Sequence, residues 1–455
     1  MGKLIIVSNR VGSLKDTGKA GGLAVALVDV LRERGGVWFG WSGAVSDEGT
    51  FGEFKIERSK QVELVQLDIN KADYDEYYAG YANRTLWPIL HYRLDIAEFD
   101  RPFEEGYRRV NERFATRLKP LIKPDDLIWV HDYHFLPFAS TLRAMGVENR
   151  IGFFLHIPFP SPDIITALPR HGALIRSMLA YDLIGFQTMR DRNHFIDYLV
   201  QEQGGRVVDD DVVSVYGREI TVRAFPIGID ATGFATFPDS PEGKRQQQRI
   251  RQAQRDRAQI VGVDRIDYTK GIPHRFRGFE RLLEEYPENR GRVTFLQIAP
   301  SSRSEVDAYA DIQRELEGLA GQINGRFADV DWTPIRFIAR GFPRKALAGI
   351  YRASRIGLVT PLRDGMNLVA KEYLAAQDPE NPGVLVLSRF AGAAEELRES
   401  VIVNPYSAAE VAAALQTALQ MPLDERKSRH ALMFERIVRN DAHNWATRYI
   451  RALGG

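Results

Sequence analysis

The stretch from Gly357 to Ala376, GLVTPLRDGMNLVAKEYLAA, constrains the fold of this chain most tightly. Gly357 to Thr360 is a short apolar run of the kind buried in a sheet, and Asp364-Gly365 is a turn dipeptide. Leu368, Val369, Tyr373 and Leu374 then recur at helical spacing, which predicts strand, tight turn and helix in that order. Such a turn aims the first unpaired backbone N–H groups of the helix out of the carboxyl edge of the sheet, where they suit a phosphate. Asp364 precedes those groups, and Glu372 falls about two turns into the helix. Taken alone, the stretch fits a diphosphate cup, with one carboxylate near a sugar hydroxyl and the other near a ribose. It fits an ordinary loop of a parallel sheet equally well.

The same order recurs along the chain. Leu4 to Val7 runs into Ser8-Asn9-Arg10, then into a loop holding Gly12, Gly18, Gly21 and Gly22 and a helix from about Leu23 to Arg34. Leu127 to Val130 opens into His131-Asp132-Tyr133-His134, Ile151 to Leu155 opens into His156, and Asp182 to Thr188 is a further strand. The alternation pauses near Ile229, and an Arg/Gln-rich surface helix follows from Lys244 to Arg257. It then restarts: Ile260 to Val263 leads to Arg265 and Lys270, Val293 to Ile298 to Arg303, and Ile335 to Ile338 to Phe342. The pattern predicts an α/β protein of two doubly wound domains facing each other across a cleft, divided at residues 1–229 and 230–439.

Composition removes several classes of function. Sixty-one basic and sixty acidic residues leave a net charge of +1, so no global field favours nucleic acid or a membrane. The Arg/Gln-rich helix carries no aromatic residue for base stacking. No cysteine is present, which excludes disulfides, thiolate nucleophiles and Cys-based metal sites. The amino terminus lacks the pattern of a signal peptide, and no apolar run approaches the ~20 residues of a membrane span, so a soluble, cytoplasmic protein is expected. Nucleotide motifs also fail. There is no G-x-G-x-x-G, and Gly12 to Lys19 departs from a Walker A loop in its spacing and in Ala20. His131 and His134 lack a convincing third metal ligand. The Asp-x-Asp pairs at Asp73/Asp75, Asp209/Asp211 and Asp329/Asp331 follow no apolar strand and are read as solvated.

What remains is anion and sugar chemistry. Arg265 and Lys270, five apart beyond a strand, match a diphosphate with a guanidinium fork and a mobile ammonium. Arg10 and Arg303 each follow a strand in opposite halves and suit a second anion, such as a sugar phosphate. Tyr78 and Trp87 lie in aromatic clusters without a clear period and offer the apolar face and polar tip that a sugar needs.

Together, several of these segments resemble a known family. Val7-Ser-Asn-Arg10, Gly21-Gly22-Leu23, Trp38-Phe-Gly-Trp-Ser-Gly43, His131-Asp-Tyr-His134 and His156-Ile-Pro-Phe-Pro160 look like the trehalose-6-phosphate synthases. So do Asp264-Arg-Ile-Asp-Tyr-Thr-Lys-Gly271 and Asp364-Gly-Met-Asn-Leu-Val-Ala-Lys-Glu372, in family order from about Lys3 to about Ile450. The resemblance implies a GT-B fold and a retaining transfer of glucose from UDP-glucose to glucose 6-phosphate, with no cofactor and no required metal. It implies that Gly22, Arg265, Lys270, Phe342, Asp364, Leu368, Val369, Ala370, Lys371 and Glu372 bind the donor. Arg10, Tyr78, Trp87, Asp132 and Arg303 would bind the acceptor, and Asp132, His156, Arg265, Lys270 and Asp364 would serve catalysis. In such folds a last helix, about 440–455, returns to the first domain. The loop Val11 to Ala20 departs from the family pattern. A homo-oligomer fits, and a separate phosphatase is expected to take the product. Other acceptors such as glycerol 3-phosphate, ADP- or GDP-linked donors, and a silent sugar-phosphate sensor are the competing readings. A nicotinamide-dependent oxidoreductase is disfavoured by the missing glycine fingerprint.

Overall fold

The structure is a computed structural model describing residues 2–12, 27–28, 30–32, 34–46, 54–59, 61–254, 256–301 and 307–454. The chain separates into two compact units, Met1–Pro226 with His443–Gly455, and Ile227–Ala442.

The first unit is built on a ten-stranded sheet. Its strands are β1 (Leu4–Arg10), β2 (Gly36–Ser46), β3 (Lys55–Ser59), β4 (Val62–Asn70), β5 (Leu127–His131), β6 (Ile151–Phe154), β7 (Leu183–Phe186), β8 (Arg206–Asp209), β9 (Val212–Val215) and β10 (Arg218–Ala224). The order is β3-β4-β2-β1-β5-β6-β7-β10-β9-β8, parallel from β4 to β10, with antiparallel β3 on one edge and antiparallel β9 and β8 on the other. Central strands are apolar on both faces, as a parallel sheet covered by helices requires; β6 and β7 are buried along their whole length. The chain runs outward from β1 through β2 to β4, then returns to the other side at β5. The switch point between β1 and β5 therefore lies beside Arg10 and Asp132.

Tyr74–Leu86 winds as a π-helix, closed at its end by the Trp87 N–H on the Ala82 carbonyl. This wider wind explains why Tyr78 and its aromatic neighbours fit no 3.6-residue period in the sequence. Asp73, at the start of this segment, corrects the reading of that Asp-x-Asp pair as solvated. It is fully buried and ion-pairs with Arg109 at 2.7 Å and with Arg113.

The helix Ala442–Gly454 belongs to the first unit. The Tyr449 ring stacks on Trp129 of β5 at 4.5 Å, and its hydroxyl donates to the Phe153 carbonyl at 2.9 Å. Two glycines make room for it. A Cβ on Gly152 would sit 2.5 Å from the Tyr449 hydroxyl, and one on Gly185 would sit 2.7 Å from its ring.

The second unit carries a six-stranded, wholly parallel sheet of β11 (Ala258–Val263), β12 (Val293–Ile298), β13 (Ile335–Ile338), β14 (Ile356–Val359), β15 (Val384–Ser388) and β16 (Val401–Val403). The order β13-β12-β11-β14-β15-β16 puts its switch point between β11 and β14. The helix Ile272–Glu285 packs Phe276, Phe279, Leu282 and Leu283 into one apolar cluster with Ile260, Phe295 and Val386. Among the described residues no helix is long and apolar enough to cross a membrane.

Gly185→Ala tests the seat of the Tyr449 helix. Overpacking there should lower stability by about 1–3 kcal/mol in urea unfolding. The loss should shrink when Tyr449 is shortened to Leu in the same chain.

Candidate active site

In the second unit, the groups read from the sequence gather at the carboxyl ends of β11 and β14. Arg275, which sequence reading missed, organises them. It lies on the helix Ile272–Glu285 and is fully buried. Its guanidinium donates to Asp264 Oδ2 at 2.8 Å, Gln297 Oε1 at 2.9 Å, Thr360 Oγ1 at 3.1 Å and the Lys270 carbonyl at 3.3 Å. One side chain therefore ties together the ends of β11, β12 and β14 and the turn that carries Lys270. The signal available in the sequence was an arginine three residues after Ile272, within the apolar stripe of its helix.

Lys270 Nζ lies 2.5 Å from Asp364 Oδ2, and Asn367 Nδ2 donates to the same oxygen at 3.1 Å. Burial by itself would lower the Lys270 pKa. The Asp364, Asp264 and Asp267 carboxylates outweigh it, so the pKa is raised and the ammonium is retained. Burial pushes the Asp264 carboxyl up, against Arg275 and Lys270. Asn367, at φ +76°, caps the helix Leu368–Ala376 by accepting the Ala370 N–H at 3.1 Å. The Leu368 and Val369 N–H groups precede the first intrahelical bond and stay available to an anion. Arg265 is exposed, just beyond the end of β11.

Glu372 is held 3.6 Å from Arg344, and burial pushes its carboxyl up to about 7, only partly opposed by Arg344. Phe342 is half-buried, with the Arg340 guanidinium 5.1 Å over its ring. Within the run Leu368 to Glu372, the Ala370 and Lys371 side chains are buried. Lys371 Nζ donates to the Ile227 carbonyl at 2.8 Å and pairs with Glu396, so its ammonium anchors the helix.

In the first unit, Arg10 ends β1, exposed, with its guanidinium 6.0 Å from the Trp41 ring. Tyr78 stacks on His134 at 6.0 Å and 14° and packs against Trp41 at 5.2 Å. Trp87 is buried, tilted over His91 at 4.2 Å. Asp132, at the end of β5, holds the unusual φ of +76°, and its Oδ1 accepts the His156 N–H at 3.3 Å. A non-glycine residue in that region marks a local conformation imposed by its surroundings. Gly22, Arg303 and most of the loop Val11 to Ala20 lie outside the described residues.

His156 sits in a chain of neutral groups. Its Nδ1 is 3.3 Å from Gln187 Nε2, and its Nε2 is 3.0 Å from His131 Nδ1. Burial pulls His156 down to about 3, and burial together with His156 pulls His131 well below its usual value, so both rings are uncharged at neutral pH. With Gln187 donating to Nδ1, the His156 proton belongs on Nε2, facing His131. Both ring nitrogens are thereby engaged and the backbone N–H is taken by Asp132, while among the described residues the His156 carbonyl accepts no hydrogen bond. Gln187 was absent from the sequence reading. It is the first polar residue after apolar β7, the position that picked out His131 and His156.

Among the described residues, no group of three or more His, Asp or Glu is placed to hold a metal ion. Two parallel sheets, each with its polar groups at the carboxyl end of the switch strands, and a cationic cup at one helix start, define a two-Rossmann transferase of the nucleotide-sugar type. Comparison with known proteins makes the class specific. The model of glycosyltransferase family 20 matches residues 7–454. A trehalose-6-phosphate synthase of Citrobacter koseri is 49% identical over 453 residues, covering 100% of this chain and 95% of that protein. A UDP-forming α,α-trehalose-phosphate synthase of Burkholderia xenovorans, in complex with glucose-6-phosphate, superposes with a TM-score of 0.96 at 49% identity, covering 100% of both chains. An E. coli chain bound with UDP-2-fluoro glucose superposes at 0.95 and 47% identity, over 100% of this chain and 99% of its own. The chain belongs to glycosyltransferase family 20, and its two Rossmann-like units have the GT-B architecture.

Glu372 gives a pH test. Its folded pKa of about 7 lies above the 4.5 of a free carboxyl, so the folded unit holds the proton more tightly than the unfolded chain. Stability contributed by that proton is full below pH 4.5 and is lost as the pH rises through about 7. Glu372→Gln should unfold like the parent at pH 4.5 and be more stable by about 2–3 kcal/mol at pH 8.5. Arg275→Met, which strands Asp264, should cost about 3–5 kcal/mol in the same measurement.

Proposed function

We propose that this protein transfers glucose from UDP-glucose to glucose 6-phosphate with retention of configuration, giving α,α-trehalose 6-phosphate and UDP. The observation that carries the reading is the Lys270–Asp364–Asn367 arrangement at the open start of the helix Leu368–Ala376. It sets an ammonium, a carboxylate and free N–H groups within one cup in a chain alike over its whole length to UDP-forming synthases. The Leu368 and Val369 N–H groups and the Lys270 and Arg265 cations receive the diphosphate. Glu372 accepts the ribose hydroxyls, Phe342 borders the nucleotide, and Asp364 meets the glucose. For the acceptor, Arg10 and Arg303 bind the phosphate, while Tyr78, Trp87 and Asp132 border its sugar.

The anomeric carbon breaks its bond to the UDP oxygen as the acceptor hydroxyl bonds to it on the same face. The hydroxyl proton passes to the departing phosphate oxygen. No side chain acts as a nucleophile in this route. Lys270, Arg265 and the helix start offset the charge growing on UDP, the task otherwise given to a metal ion, so turnover proceeds without one. The His156 backbone carbonyl offsets the positive charge that develops on the sugar. The reading places the enzyme in the cytoplasm, with a separate phosphatase consuming its product.

UDP release from UDP-glucose should require glucose 6-phosphate and persist in EDTA. Lys270→Ala should lower kcat by about 10²–10³, and Arg303→Ala should raise the KM for glucose 6-phosphate. Release driven only by glycerol 3-phosphate would overturn the acceptor, and no release with any nucleotide sugar would overturn the enzyme. Donor affinity should increase from pH 6 to pH 8 as Glu372 ionises, and this pH dependence should be absent in Glu372→Gln.

A further inference from the structure

The second unit has a separate cavity of about 460 Å³ at the opposite, amino edge of its sheet, where β11, β14 and β15 begin. Five arginines line it, Arg251, Arg257, Arg352, Arg355 and Arg426, against the single acid Asp256. Some of this charge serves structure. Arg257 pairs with Asp331 at 2.6 Å, Arg352 Nε donates to the Ala376 carbonyl, and Arg355 Nη2 donates to the Met421 carbonyl at 3.0 Å. Capping carbonyls at helix ends explains one or two N–H groups of each guanidinium, which carries five.

It does not explain Arg426. This side chain is nine-tenths buried and uses Nη1 on Asn381 Oδ1, at 2.8 Å, and on the Pro382 carbonyl, while its buried Nε has no hydrogen-bond partner. Among the described residues neither Arg355 nor Arg426 has a carboxylate partner. Burial lowers the pKa of both, and the Arg426 charge lowers Arg355 further, so two desolvated cations press on each other around an open space. A buried charge without a counter-ion is unfavourable, and a bound anion removes the penalty.

We propose that this cavity is a second anion site, for a phosphate-bearing small molecule, formed by Arg426 and Arg355 with Arg251 at its rim. Guanidinium forks suit phosphate oxygens in particular, and the volume accommodates a phosphomonoester of sugar size. The site is independent of the transferase reading, because its residues lie on the sheet edge opposite Lys270 and Asp364.

Calorimetric titration with inorganic phosphate tests it, run on the parent protein and on Arg426→Gln, Arg251→Glu and Lys270→Ala. A binding event with Kd below about 1 mM should persist in Lys270→Ala and weaken at least tenfold in both arginine variants. Arg251 is exposed, so its variant carries the test even if Arg426→Gln fails to fold. Glucose 6-phosphate in place of phosphate, on an Arg10→Ala background that disables the proposed acceptor site, then distinguishes a site for the free ion from one that also holds the sugar. Either result keeps the anion site. Absence of phosphate binding, or binding unchanged in Arg251→Glu, overturns it.

Discussion

The second unit depends on one buried cation. Arg275 gives up its hydration to gather Asp264, Gln297, Thr360 and the Lys270 carbonyl, and every one of these partners belongs to a different strand end or turn. Such an arrangement is favourable only when each donor finds an acceptor, and here three side chains and a carbonyl meet it. Gly262, in β11, keeps the space open: a Cβ there would sit 2.6 Å from the Arg275 guanidinium. Because Asp364 is reached through Lys270, the geometry of the cup at the helix Leu368–Ala376 is inherited from this network. Glycine in a strand, arginine in an apolar stripe and lysine in a turn thus form one mechanical unit.

The two units solve opposite electrostatic problems with the same sheet edge. The second collects cations and N–H dipoles at the start of the helix Leu368–Ala376. The first lines its switch strands with neutral imidazoles, an amide and aromatic rings, holding protons in fixed positions without net charge. Burial keeps His156 uncharged at neutral pH, so this edge adds no positive charge of its own there.

Much of this was legible in the sequence wherever a residue obeyed one strong local rule. Buried parallel strands are apolar throughout, so β1, β5, β6, β11, β12 and β14 stand out, and the polar residues just after them mark the edge where Arg10, Asp132, His156 and Lys270 lie. Strands β3 and β8 escaped notice because they are antiparallel edges with side chains largely in solvent, without the apolar run that the rule needs. Tyr78 lost its period to a π-helix. Asp73 and Arg275 were hidden for a different reason: a charged residue looks solvated until its partner is known, and Arg109 and Asp264 are paired with them only by the fold. The same holds for the arginines around the cavity, which are scattered from Arg251 to Arg426 and meet only at the amino edge of the sheet.

The helix Ala442–Gly454 has a consequence for how the molecule is made. It supplies Tyr449 and Trp445 to the core of a unit whose other residues all precede Ile227. During translation the second unit is complete before the first has received its last core element, although the first emerges earlier. The glycine-lined seat on β6 and β7 stays unfilled until that helix has been made, so the half synthesised first cannot finish its core until the half synthesised second is already complete.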